Sequence, residues 1–285
     1  MPQGAETPVN GSRYERETVI VPVKGLRFLN FRDLWEYREL LSVLILRDIK
    51  VRYRQTVLGG LWALLQPLTA MAIFTVVFGK LARMPSDGHP YALFVYSALL
   101  PWTFFANAVG ASGNSLIGSA ALISKVYFPR IIIPVASVGS GLVDFAISAA
   151  LLFLLMPVYG VALTVHLLLL PVLMAVLMLV TLGVGMLLSA LTVAYRDFRY
   201  VVPFMVQVWM FATPVVFPAS LVPGKFRWIL LLNPMSGVIE GFRSAILGKV
   251  PDYGGLGASF LLAAVFFLAG VAYFGKVERR FADII

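Results

Sequence analysis

One carboxylate, Asp144, stands inside an apolar stretch running from about 131 to 157. An ionisable group at membrane depth is by default a proton or ion site. A relay needs a second acid or a basic partner, and that stretch holds no Lys, Arg or further acid. The structural reading is therefore preferred: a carboxylate hydrogen-bonded to a hydroxyl such as Ser140 or Ser148, or set near an interface. Other reactive groups are scarce. The chain has no cysteine, so disulfides and thiolate chemistry are excluded. His89 and His166 stand alone, without the acidic neighbours a metal site would need. Four Gly-Lys pairs, at 79–80, 224–225, 248–249 and 275–276, are each followed by an apolar or aromatic residue, never Ser or Thr. No phosphate-binding loop of the Gly-x-x-x-x-Gly-Lys-[Ser/Thr] type exists. No catalytic residue and no metal ligand is assigned.

What the chain does carry is a basic cluster, Arg47, Lys50, Arg52 and Arg54 with Tyr53 among them, against the single acid Asp48. It leads directly into an apolar run of membrane length. Cations beside a span stay on the cytoplasmic side, where anionic lipid also attracts them. The cluster therefore anchors the topology. A net charge of +9 could signal nucleic acid or a membrane surface. With 60% hydrophobic residues, only 13% charged and a mean hydropathy of +0.88, the membrane reading wins. Membrane lipids are expected partners; nucleic acid is not.

The elements that must position these groups follow from the patterning. Residues 1–32, with scattered Pro and Gly, read as a flexible cytosolic tail without the apolar core of a signal peptide. Residues 33–56 read as an amphipathic interfacial helix, with Asp33 as N-cap, Glu36 three residues on, and apolar side chains at three- and four-residue steps. The transmembrane domain fills 57–285. Its six spans are expected at about 60–79, 91–118, 131–157, 167–194, 201–217 and 256–275. The second should be tilted, or broken near Pro101. Pro218–Gly255 is neither polar enough for a free loop nor apolar enough to span. Short helices there, re-entrant or on the outer face, fit, with Glu240 and Arg243 paired on one helical face. Seventeen of the 23 cations fall in segments read as cytosolic and six outside, which favours both termini inside. The fold class is thus an all-α polytopic membrane protein.

Aromatic residues are abundant, and most suit interfacial belts. A subset could stack on sugar rings along a wide path; Tyr91, Phe94, Tyr96, Trp102, Phe104 and Phe105 form the densest group, with Glu240 and Arg243 as polar candidates for the same path.

Six motifs in order then resemble one family. Arg47-Asp48-Ile49-Lys50-Val51-Arg52-Tyr53-Arg54-Gln55-Thr56, with Leu58-Gly59, Trp62 and Pro67, is similar to the leading motif of ABC-transporter permeases that export polysaccharides of the O-antigen, capsule or teichoic-acid type. Lys125-Val126-Tyr127-Phe128-Pro129-Arg130, Tyr195-Arg196-Asp197, Thr213-Pro214, Asn233-Pro234 with Phe242-Arg243, and Glu278-Arg279-Arg280-Phe281-Ala282-Asp283 extend the likeness from about Asp33 to the last residue. The resemblance implies a homodimer in a bacterial inner membrane, two copies of a separate ATPase that holds the ATP and Mg, and a path for a lipid-linked polymer between the copies. No cofactor is expected on this chain. It also makes Lys125, Tyr127, Phe128, Pro129, Arg130, Arg196, Asp197 and Phe198 candidates for coupling to the ATPase. Phe128 and Phe198 would serve as apolar knobs for a partner groove. An O-antigen substrate fits best; capsule or teichoic acid is the alternative. A proton-coupled exporter centred on Asp144 is the rival of another class. A membrane glycosyltransferase is disfavoured by the absence of an Asp-x-Asp site.

Overall fold

The computed structural model describes residues 35–54 and 59–278. The tail 1–32, the Asp33 cap, Gln55, Thr56 and Leu58 of the leading motif, and residues 279–283 of the terminal motif lie outside the described residues.

All regular structure among the described residues is helical. Helix α1 (Arg38–Tyr53) begins without a side-chain cap. A tight turn, Gly59–Leu61, leads into α2 (Trp62–Phe74), which continues with wider winding over Thr75–Leu81. Next come α3 (Tyr91–Gly118), the single turn α4 (Ala120–Ile123) and α5 (Ile132–Val158). After a turn at Val165–Leu169 follow α6 (Leu170–Ala194) and α7 (Phe198–Phe211). Short turns at 219–221 and 224–226 precede α8 (Arg227–Leu231), α9 (Pro234–Leu247) and α10 (Tyr253–Val277).

Five of these elements are long and apolar enough to cross a membrane: 59–81, 91–118, 132–158, 165–194 and 253–277. They match five expected spans to within a few residues. The sixth differs. The span expected at 201–217 is a 14-residue helix, α7, about 21 Å long at 1.5 Å per residue and so short of the roughly 30 Å hydrocarbon layer. The chain leaves the helix at Ala212 and continues as irregular backbone towards the first turn of α3, where Tyr91 Oη donates to Val216 O at 2.6 Å.

The core forms around α3, whose residues Leu93–Leu100 are all buried. Helices α2, α5, α6, α7 and α9 pack around it. Of the two alternatives expected for this span, a tilt or a break near Pro101, the break does not occur: α3 runs through Pro101. Proline removes one backbone hydrogen bond, but the helix is enclosed by neighbours along most of its length, and it stays continuous. Helices α6 and α10 form the tightest crossing. A Cβ on Gly183 would lie 2.5 Å from Phe267 N, and one on Gly270 would strike Gly183 O. Only glycine at both positions lets the backbones come this close.

A second apolar cluster gathers Leu44, Leu116, Ile123, Phe128, Ile132, Met186, Val193 and Phe274. It joins α1 to the C-terminal ends of α3, α6 and α10 and the N-terminal end of α5. The 125–130 and 195–199 loops therefore lie at one end of the molecule.

Candidate functional site

Helix α1 lies along α5, with Ile45 against Gly139. It runs towards the middle of α5. Ser137 Oγ donates to Asp48 Oδ2 at 3.4 Å, and further along Arg52 Nη2 donates to Ser140 Oγ at 3.2 Å. At the end of α1, Arg52 Nη1 donates to Asp144 Oδ2 and Tyr53 Oη donates to Asp144 Oδ1. Asp144 is twelve residues into α5, about 18 Å along it. No Lys or Arg lies in α5 itself; α1 brings Arg52 to Asp144 from a segment outside the spans. Of the hydroxyls expected to serve Asp144, Ser140 belongs to the cluster through Arg52, whereas Ser148 Oγ donates to Ala63 O at 3.1 Å. Burial first, then the hydrogen bond and charge of Asp144, push the Tyr53 phenol up to about 12. It stays a donor at every physiological pH. The remaining members of the cluster project outward: Arg47 pairs with its neighbour Asp48 at 2.9 Å, and Lys50 and Arg54 are exposed.

This cluster forms one wall of a cavity of about 430 Å³ between α1, α2, α3 and α5. Gln66, Thr103 and Asn107 supply hydrogen-bonding groups, and Trp62, Phe104 and Phe145 supply aromatic faces. Gln66 and Asn107 are exposed on helices that carry a span's hydropathy. An amide facing hydrocarbon is costly, so these side chains mark a polar interior. Gln66 was not among the residues expected here, although a lone amide in an apolar span is itself a signal.

The aromatic group expected along a path lies elsewhere. Phe94, Tyr96 and Phe105 are wholly buried, and Trp102 and Phe104 nearly so. Phe105 packs edge-on against Trp209, and Phe104 against Phe145. Tyr96 Oη donates to Ser148 O at 3.0 Å. Except for Phe104, which reaches the cavity, these rings are packed inside the chain.

Glu240 and Arg243 do pair, at 2.6 Å. Their setting differs from the path expected for them. Arg243 is 2% exposed, stacks 3.8 Å from the Phe94 ring centroid, and donates through Nη2 to Pro214 O at 2.8 Å and Val215 O at 2.9 Å. Asn233 Nδ2 likewise reaches Ala212 O and Thr213 Oγ1, while its Oδ1 accepts from Trp209 Nε1. Backbone that leaves a helix at membrane depth must find partners within the protein. Arg243, Asn233 and Tyr91 together satisfy the carbonyls released where α7 ends.

At the loop end, Lys125 and Tyr127 are exposed, as are Arg196 and Asp197. Phe128 is not the expected knob: it is 4% exposed and sits in the second apolar cluster. Phe198 is half-buried against the main core. The Phe128 ring packs into the apolar cluster formed by α1, α3, α5, α6 and α10. The exposed aromatics here are Tyr127, Tyr195 and Tyr200. Half-buried Pro129 precedes Arg130, whose backbone N–H donates to Glu278 Oε1 at 3.0 Å while its guanidinium donates to Glu278 O. Burial raises the Glu278 carboxyl above its ordinary range, against the opposing pull of Arg130. Among the described residues no three His, Asp or Glu side chains gather to hold a metal ion.

The chain matches the ABC-2 type transporter family over residues 39–247. It is 32% identical over 257 residues to the O-antigen export system permease protein RfbA of Myxococcus xanthus, covering 89% of this chain and 98% of that protein. The RfbA protein of Klebsiella pneumoniae is 29% identical over 87% of this chain and 95% of its own length. The polysialic acid transport protein KpsM of Escherichia coli is 24% identical over 80% of this chain and 87% of its own. A match over most of the helical region, with relatives aligned nearly end to end, places this chain in the ABC-2 type transporter family.

Proposed function

We propose that this chain is the permease subunit of an ATP-driven exporter that moves a lipid-linked polysaccharide, of O-antigen type, across a bacterial cytoplasmic membrane. Two copies form the pathway, and two copies of a separate ATPase hydrolyse the ATP and hold its Mg. Both termini are cytosolic, and the sixth crossing consists of α7 with the irregular segment 212–217.

The observation that carries this reading is the cavity beside Arg52 and Asp144. Amides, hydroxyls and aromatic faces at membrane depth suit sugar hydroxyls and the C–H faces of pyranose rings. Arg52, Lys50 and Arg54, at the end of α1, suit the phosphates of a lipid carrier. The names of the relatives point the same way: two concern O-antigen export and one polysialic acid transport. A capsule-type polymer is the second reading, favoured by the last of these.

Asp144 has a structural role in this reading. Its two oxygens are occupied by Arg52 and Tyr53, so its charge is compensated and the proton-coupled mechanism loses its centre. ATP-driven force enters through the exposed face of the 125–130 and 195–199 loops and the first turn of α7, at Lys125, Tyr127, Arg196 and Tyr200.

The test is genetic and biochemical. Deleting this gene in its host should abolish surface polysaccharide, with intracellular polymer accumulating, and re-expression should restore it. Proteoliposomes holding the permease and its ATPase should export polymer on ATP without a proton gradient. Export that needs the gradient and no ATPase would reverse the assignment.

A further inference from the structure

The turn that enters α5 and the end of α10 cap each other. Helix α5 has no side-chain cap of its own. Glu278, the residue that closes α10, supplies an acceptor to that turn: Oε1 takes the Arg130 backbone N–H at 3.0 Å. In return the Arg130 guanidinium donates to Glu278 O. Carbonyls at a helix end lack partners within the helix, and a cation suits that end of the dipole. The two residues are 148 positions apart in the chain, so the exchange fastens the 125–130 loop to a distant helix. Phe128 fastens the same loop a second time, in the apolar cluster that includes Val271 and Phe274 of α10. Lys125, Val126 and Tyr127 stay exposed on the fastened loop.

Helix α10 is then held without slack along its length. At Gly270 it meets the Gly183 carbonyl of α6, backbone against backbone. Near its start, a Cβ on Gly237 of α9 would strike the Gly255 carbonyl, and Gly237 N donates to Ser259 Oγ at 3.0 Å. From Gly255 to Glu278 is about 34 Å at 1.5 Å per residue. Where backbones touch, no side chain can rotate to absorb a shift, and packed interiors transmit displacement. Helix α9 in turn grips the irregular segment: Arg243 holds Pro214 O and Val215 O, and Glu240 accepts from Ala219 N at 3.1 Å. Helix α5 also continues the loop, but its glycines approach only side chains, Gly139 to Ile45 and Gly141 to Phe104. Those can turn aside.

We infer that Glu278 is a positioning residue for energy coupling. It fastens the 125–130 loop to α10, so that a displacement imposed at Tyr127 moves α10 and, through Gly237 and Gly255, carries α9 and segment 212–219 at the far end. The inference rests on the ATP-driven export reading above and adds the route by which force crosses the chain.

A contiguous path is a coupling path only where breaking it changes the linked output, so the readout is polymer exported per ATP hydrolysed. Proteoliposomes hold the full-length chain, its ATPase and lipid-linked polymer. Glu278→Ala should lower the ratio several-fold while the ATPase still co-purifies and still hydrolyses ATP, because Tyr127 and Phe128 are untouched. Glu278→Gln keeps an Oε1 acceptor for the Arg130 N–H and should restore most of the ratio. The chain has no cysteine, so Arg130→Cys combined with Glu278→Cys can be joined by a short thiol-reactive cross-linker. The unjoined protein should be uncoupled, and joining should return export per ATP. This pair decides the matter even where Glu278→Ala lowers the yield of folded chain. An unchanged ratio in Glu278→Ala would overturn the inference and leave the export reading standing. So would a glutamine variant no better than alanine, export lost only in step with ATPase co-purification, or a cross-link that stops export. Wild-type chain that exports polymer without the ATPase would remove the export reading, and this inference with it.

Discussion

Arg52 and Asp144 are 92 residues apart in the chain, and Arg52 Nη1 donates to Asp144 Oδ2. The pair ties the end of α1 to the middle of α5, with Tyr53 on the other carboxylate oxygen. Each side chain alone would be a charge at membrane depth; together they are compensated and hydrogen-bonded. Both keep partial exposure to the cavity, so their value is below that of a fully buried pair.

Removing either partner should therefore be worse than exchanging them. Asp144→Ala or Arg52→Ala should cost about 1–3 kcal/mol, the range for a hydrogen bond to a charged group or its unpaired remnant. The double exchange Arg52→Asp with Asp144→Arg should recover part of that loss. Thermal unfolding of purified protein in detergent reads the difference; equal loss in the single and exchanged proteins would show that the pair contributes nothing to the fold.

Arg243 serves as a cap for irregular backbone, which sets a stricter requirement. Its fork reaches Pro214 O, Val215 O and Glu240 while its plane stacks on Phe94. Arg243→Lys keeps the charge but cannot make these contacts together. Both Arg243→Lys and Arg243→Leu should lower stability by about 3–5 kcal/mol, because each leaves buried partners unpaired. Membrane-inserted yield and protease resistance would register it. Wild-type behaviour of the lysine protein would show that charge alone suffices.

The two neighbours Tyr127 and Phe128 should separate stability from coupling. Phe128 is buried, so Phe128→Ala should cost about 3–5 kcal/mol by opening a cavity in the second apolar cluster. Tyr127 is 77% exposed; Tyr127→Ala should leave the thermal midpoint alone and reduce co-purification of the ATPase. The reverse pattern would place the partner surface elsewhere.

Glycine at the α6–α10 crossing should tolerate no side chain. Gly270→Ala would press a methyl group onto the Gly183 carbonyl, and overpacking of this kind costs about 1–3 kcal/mol. A substitution at Gly257, where a Cβ meets open space, is the control and should be silent.

Glu278 sets a pH dependence at the loop end. Its carboxyl is held above the ordinary 4.5 by burial, so the folded chain keeps that proton more tightly than the unfolded chain. Its contribution to stability is greatest below pH 4.5 and declines as pH rises through the raised folded-state value. Glu278→Gln should flatten this part of the stability profile, from about pH 4.5 up through the raised folded-state value. A midpoint that follows the same pH course in both proteins would remove Glu278 as the cause.

Hydropathy sufficed for the broad class and for five helices long and apolar enough to cross a membrane. Those features depend only on the local run of residues: about twenty apolar positions cross a bilayer, and cations stop at its edge. The Glu240–Arg243 pair was legible for the same reason, since residues three apart share one helical face. Three things were decided by tertiary packing. Whether Phe128 or Tyr127 faces outward depends on the cluster under the loop, which is assembled from five distant segments. The short length of α7 depends on Arg243, Asn233 and Tyr91 arriving to satisfy its released carbonyls. The partner of Asp144 comes from a helix outside every span, and only the packing of α1 along α5 brings Arg52 to it. Local patterning records where a residue can lie in the membrane; which residue completes its charge or hydrogen bonds is set by contacts between segments far apart in the chain.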